Sequence, residues 1–95
     1  MPEMLFKIRW PDGTTEDCYS PSLVIKDHLE TGRAYPLAEF RALSRTALSI
    51  ASERVRAKYG FPCSNALLQI ARIDAACRRF EGSPDASVGI LSFQE

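Results

Sequence analysis

From Met4 to Trp10 the side chains alternate, with Met4, Phe6, Ile8 and Trp10 on one side and Leu5, Lys7 and Arg9 on the other. That period of two predicts a strand with one buried face. The next residues, Trp10-Pro11-Asp12-Gly13-Thr14, suit a type I turn closed by a left-handed glycine bulge. The chain should therefore fold back on itself, pairing Phe6 with Cys18, Lys7 with Asp17 and Ile8 with Glu16. In that register Cys18 enters the core, and Asp17 meets Lys7 on the outer face.

Ser20 to Arg33 has no clear period, which leaves strand, short helix and loop all open. The β-branched Val24 and Ile25 lean Leu23-Val24-Ile25 toward extended structure. Pro36 then fits a first helical position. Leu37, Phe40, Leu43, Ala47, Ile50, Ala51 and Val55 recur every three or four residues, an amphipathic stripe of about six turns. Gly60 is placed to end that helix in a left-handed conformation, and Pro62 blocks simple continuation. A second helix is expected from about Ser64 to Phe80, with Ser64 as the better cap and Leu67, Ile70, Ile73, Cys77 and Phe80 on its inner face. Gly82-Ser83-Pro84-Asp85 breaks it, and the apolar run Val88 to Phe93 reads as a last strand returning to the hairpin. The predicted class is α+β in two layers, β-β-α-α-β, with a small antiparallel sheet of about three strands against two helices.

At 95 residues the chain has the length of one domain, taken as residues 1–95. It is 45% apolar and 25% charged, with 12 basic and 12 acidic side chains. That balance excludes a disordered tail or a basic arm. No apolar run approaches the roughly 20 residues needed to cross a bilayer. Met1-Pro2-Glu3 passes straight into the strand pattern, which speaks against a signal peptide and for a cytoplasmic protein. The charge is nonetheless segregated. Residues 1–32 hold 3 basic and 6 acidic side chains, 33–80 hold 9 and 3, and 81–95 hold three acids. Arg41, Arg45, Arg56, Lys58, Arg72, Arg78 and Arg79 define a basic helical part, either a site for an anion or a balance for the acidic sheet. The zero net charge argues against nucleic acid as the partner.

Candidate chemistry is sparse. Three cysteines, Cys18, Cys63 and Cys77, do not suit a disulfide framework. Cys63 and Cys77 fall about 20 Å apart on one predicted helix, well beyond bonding distance. With His28 the three thiols make four zinc-ligand types, but without the short spacings that zinc sites use. His28 with Cys18 is the one conceivable Cys-His pair. Glu39 with Glu53, or Asp17 with Asp27, are carboxylates of the kind used for acid–base work, though such surface groups more often serve as salt partners. The glycines stand too far apart to cradle a phosphate. No catalytic, metal or cofactor site is expected, and a non-enzymatic role is the consequence. In Ser52-Glu53-Arg54-Val55-Arg56-Ala57-Lys58-Tyr59, Glu53 and Arg56 can pair at i+3. Arg54, Lys58 and Tyr59 are left without a packing role, and arginine beside tyrosine is a common interface composition. Leu5, Tyr19 and Leu91 are candidates for exposure on a free sheet face, which would suit a homodimer.

Several motifs come together in one resemblance. They are Arg9-Trp10-Pro11-Asp12-Gly13, the stretch Asp17 to Val24, Tyr35-Pro36 with Glu39-Phe40, and Ile50 to Phe61 with Cys63-Ser64. Over roughly residues 1–80 they closely resemble the small bacterial nitrogen-starvation-response family. Genes of that family accompany a cluster encoding a nitrilase-like carbon–nitrogen hydrolase, a radical SAM protein, an acetyltransferase-like protein and a flavin-dependent oxidoreductase. The resemblance implies a bacterial, cytoplasmic α+β domain tied to nitrogen limitation, with no catalytic residues to carry over. The expected role is an accessory protein for the nitrilase-cluster enzymes, the alternative a regulator that binds a small ligand or an anion. Asp17, Tyr19, Ser20 and Ser22 leaving the hairpin, with Ser52, Glu53, Arg54, Arg56, Lys58 and Tyr59 on the helix, are expected to form one interaction surface. The competing reading makes Tyr-Ser-Pro-Ser plain turn chemistry.

Overall fold

The computed structural model describes residues 3–83 and 85–95. Met1, Pro2 and Pro84, which figure in the leader and helix-break readings above, lie outside them. The chain runs β1 (Met4–Arg9), β2 (Thr15–Ser20), a 3-10 turn (Leu23–Asp27), β3 (Ala34–Pro36), α1 (Leu37–Tyr59), α2 (Ser64–Arg79) and β4 (Ser87–Gln94). The strands form one antiparallel sheet in the order β2-β1-β4-β3. The α+β class holds, with one strand more than the pattern shows.

The hairpin has the expected register, Phe6 against Cys18, Lys7 against Asp17 and Ile8 against Glu16. Its turn is closed by the Trp10 N–H on the Thr14 carbonyl at 2.8 Å and the Gly13 N–H on the Trp10 carbonyl at 2.9 Å. Gly13 sits at φ 89°, where a side chain is disfavoured. β4 returns beside β1 as expected, with a shift of register opposite Lys7 and Ile8.

Four local expectations are corrected. Leu23-Val24-Ile25 winds into a 3-10 turn instead of extending, because Ser22 caps it by accepting the Val24 N–H at 3.3 Å. Local hydroxyl bonding outweighs β-branching here. Pro36 is not helical: at ψ 146° it closes β3, and α1 begins at Leu37, whose N–H bonds the Ala86 carbonyl. Three residues bounded by proline are too few to show a period, so β3 is invisible to patterning. Ser64 does not cap α2. Cys63 holds the cap position without a side-chain bond, and Ser64 is already helical.

The fourth correction concerns the helix faces. Ser44, Leu48 and Ser52 are buried on α1 while Ile50 reaches solvent, and on α2 Ala66, Gln69 and Ala76 are buried while Leu67 is exposed. Small and polar side chains hold several of these buried positions, so apolarity alone misplaces the inner faces. Phe6, Ile8, Cys18, Ile25, Leu29 and Phe40 are among the core residues. Trp10 joins the layers, edge-on to Phe40 at 5.8 Å and stacked on Phe80 at 6.1 Å.

Candidate functional site

The corner that leaves the hairpin is built by its own hydroxyls. Ser20 Oγ donates to the Ser22 carbonyl at 2.7 Å and accepts the Ser22 N–H at 3.3 Å. Ser22 Oγ, while capping the 3-10 turn, also accepts from Arg54 Nη1 at 3.0 Å. The two segments singled out in the sequence therefore do meet, at Ser22 and Arg54. The contact fastens α1 to the corner, and Ser20, Ser22 and Ser52 are all buried. Tyr19 lies beside them. Its N–H donates to Gln69 Oε1 at 3.0 Å and its hydroxyl to Glu3 at 3.1 Å. Burial first, and then the bond to Glu3, push its phenol up to about 12. Asp17 is not part of this cluster, since it opposes Lys7 on the outer face of the sheet. Glu53 pairs with Arg56 at 2.8 Å as expected.

Further along, Lys58 and Tyr59 belong to a different surface. The last buried residue of α1 is Ser52 and the first of α2 is Ala66. Between them Arg56 to Pro62 are all exposed, so the helical hairpin ends in an unpacked tip. Its large apolar side chains are open, Tyr59 at 55% and Phe61 at 65% exposed, and just beyond it on α2 Leu67 is 48% and Leu68 50% exposed. Together the four side chains expose roughly 400 Å² of largely apolar surface. Lys58 lies over the Tyr59 ring at 5.4 Å, and the sequence holds no carboxylate between Glu53 and Asp74. Patterning missed Leu67 and Leu68, although two adjacent leucines on a helix cannot both face one core line.

At the opposite end of α1 lies a cavity of about 590 Å³, walled by Leu37, Ala38, Ala42 and Ala86. Cys77 lines it from α2, and Arg41, Arg45, Glu81 and Ser83 surround it. Arg41 Nε donates to Asp74 Oδ1 at 2.9 Å, and its Nη1 reaches Glu81 at 3.4 Å. Arg45 approaches the other Asp74 oxygen at 3.6 Å. The Arg41 hydrogen bond holds the Asp74 carboxyl below its ordinary range, while burial pushes the Cys77 thiol up. A pocket of this size with perturbed groups around it is a natural place for a ligand. Because the arginine–aspartate pairing crosses 33 positions of sequence, no local spacing signals it.

The other candidate chemistry falls apart. Cys18 has Glu16 as its polar neighbour at 3.9 Å, and burial raises its thiol well above the ordinary range. His28 sits with Nδ1 at 3.2 Å from the Val24 carbonyl. Each side chain thus has its own local partner. The three cysteines are free thiols. Among the described residues no three His, Cys, Asp or Glu side chains gather as a metal site, and no helix is long and apolar enough to cross a membrane.

Two comparisons, with curated proteins and with solved structures, found no match. A family profile does match, over residues 5–93, and is described as nitrogen starvation-induced protein NitG.

Proposed function

Because the chain belongs to the NitG family of nitrogen starvation-induced proteins, we propose that it is a non-enzymatic interaction protein made under nitrogen limitation. Its partners are the enzymes of the nitrilase gene cluster, bound in the bacterial cytoplasm. One observation carries the reading: the tip of the helical hairpin leaves Tyr59, Phe61, Leu67 and Leu68 in solvent. A chain of 95 residues has little apolar surface to spare. Four large side chains left about half or more exposed are better explained as a surface covered by another protein. Aromatic anchors such as Tyr59 and Phe61, near Arg56, are also enriched in interfaces.

Affinity purification of the tagged chain from nitrogen-starved cells, with mass spectrometry, tests this reading. Recovery of the nitrilase-like or flavin-dependent enzyme is the expected result, and a partner-free protein overturns it. A second reading, a regulator that binds a small ligand, is favoured by the cavity beside Arg41 and Arg45.

A further inference from the structure

We propose that the cavity at the start of α1 binds a small zwitterion with an aliphatic body. The site names the ligand that the regulator reading needs and does not depend on the interaction reading. It lies at the other end of α1 from the tip, about 33 Å away along the 23-residue helix.

Three features carry the proposal. The first is room, since about 590 Å³ lies within the range of small-molecule sites. Alanines at 38, 42 and 86 keep it open, where larger side chains would fill it. The second is the state of the surrounding charges. Arg41 is engaged by both Asp74 and Glu81. Arg45 has only the 3.6 Å approach to Asp74, too long for a hydrogen bond, and its side chain is 61% exposed. Glu81 has only the 3.4 Å contact from Arg41 and is 60% exposed. A guanidinium with free donors and a carboxylate with free acceptors thus line one open cleft that has an aliphatic wall. The third is that charges of both signs line the cavity. An anion drawn to Arg45 meets Glu81, and a cation drawn to Glu81 meets Arg41 and Arg45. A molecule carrying both charges satisfies both groups, while Leu37 and the alanines cover its aliphatic part.

The test is a titration of the ¹⁵N-labelled full chain followed by amide shifts. Leucine places its charges on one carbon, and 6-aminohexanoate places them at opposite ends. 4-Methylpentanoate and 3-methylbutylamine are leucine without its ammonium and without its carboxylate, and hexanoate and pentylamine are the same for 6-aminohexanoate. The expected result is shifts at Leu37 to Arg45, Cys77 to Glu81 and Ala86, from at least one zwitterion. Its affinity should exceed that of either single-charge analogue by about tenfold or more. Arg45→Gln and Glu81→Gln should each remove that advantage, and Ala42→Leu should abolish binding by filling the space. These positions are on the surface, and retained amide spectra would show that the variants fold. Equal affinity for a zwitterion and its single-charge analogue overturns the proposal, as does the absence of shifts up to about 20 mM ligand. Neither result bears on whether the chain recovers a protein partner.

Discussion

Gln69 offers the sharpest test of how the layers are joined. The side chain is 5% exposed, and its Oε1 accepts the Tyr19 N–H of the edge strand β2 at 3.0 Å. That bond fixes the amide's orientation and leaves Nε2 without a partner, alone in this respect among the buried side-chain atoms described. The bond contributes about 1 kcal/mol, and a buried unsatisfied donor costs about 1–3 kcal/mol, so the amide gains little or nothing. Gln69→Leu removes the unpartnered Nε2 but strips the half-buried Tyr19 N–H of its acceptor, so two costs of about 1–3 kcal/mol oppose and the variant is expected within about 2 kcal/mol of the wild type. Gln69→Glu keeps the acceptor but puts an oxygen where no donor waits. Its carboxyl pKa should then rise above the unfolded value of about 4.3. The penalty is absent below pH 4, where both states are protonated, grows as pH rises through the unfolded pKa, and levels off above the folded one. A rise of about two units would cost about 2.7 kcal/mol at pH 7. Urea unfolding of both variants at pH 4 and pH 7, followed by Trp10 fluorescence, measures this directly. A Gln69→Glu variant as stable as the wild type at pH 7 would refute the reasoning by showing that the new oxygen finds a donor, and a loss beyond about 3 kcal/mol in Gln69→Leu would refute it by showing that Nε2 is satisfied.

Three further outcomes are expected. Gly60 ends α1 at φ 87° with open space where a Cβ would stand. Gly60→Ala should therefore lose about 1 kcal/mol from backbone strain alone, read from the thermal midpoint. Asp74, with its pKa depressed by Arg41, adds stability above its unfolded value that is lost as pH falls through the folded one. Asp74→Asn should accordingly flatten the acid limb of the stability curve, measured by urea unfolding between pH 2 and pH 5. Thiol labelling of the native chain at pH 8 should modify Cys63, at the start of α2, while Cys18 and Cys77, both buried, should react only on unfolding. Mass spectrometry of the labelled peptides distinguishes them.

The hairpin was legible because its information is local. Alternation along Met4 to Trp10 and one glycine turn fix both strands and their register. The helices were legible as helices, and Gly60 as the end of the first, but their inner faces were not. Ser44 and Ser52 are small and Gln69 bonds the distant Tyr19 N–H, and neither size nor a long-range bond registers as hydrophobicity. β3 is held by pairing with β4, a contact about 50 residues away in sequence that no window reaches. The Ser-Pro-Ser corner and Arg54 stood out correctly as a pair of segments that meet. Their role is nonetheless structural at the contact itself, as Ser22 is spent on a cap and a tie to α1. Lys58 and Tyr59 are exposed at the end of α1, outside that contact. Phe61, Leu67 and Leu68 joined them only once the turn between the helices was placed.

The most direct test of the interaction reading compares the wild-type chain with Phe61→Ser/Leu68→Ser in quantitative affinity purification from nitrogen-starved cells. Both positions are exposed, so the variant should unfold at the same temperature as the wild type, which circular dichroism verifies. The account predicts that the wild type enriches a nitrilase-cluster enzyme and that the variant recovers about tenfold less or lower, as loss of two central anchors implies. Equal recovery by a folded variant would contradict the account and move the interface away from the tip.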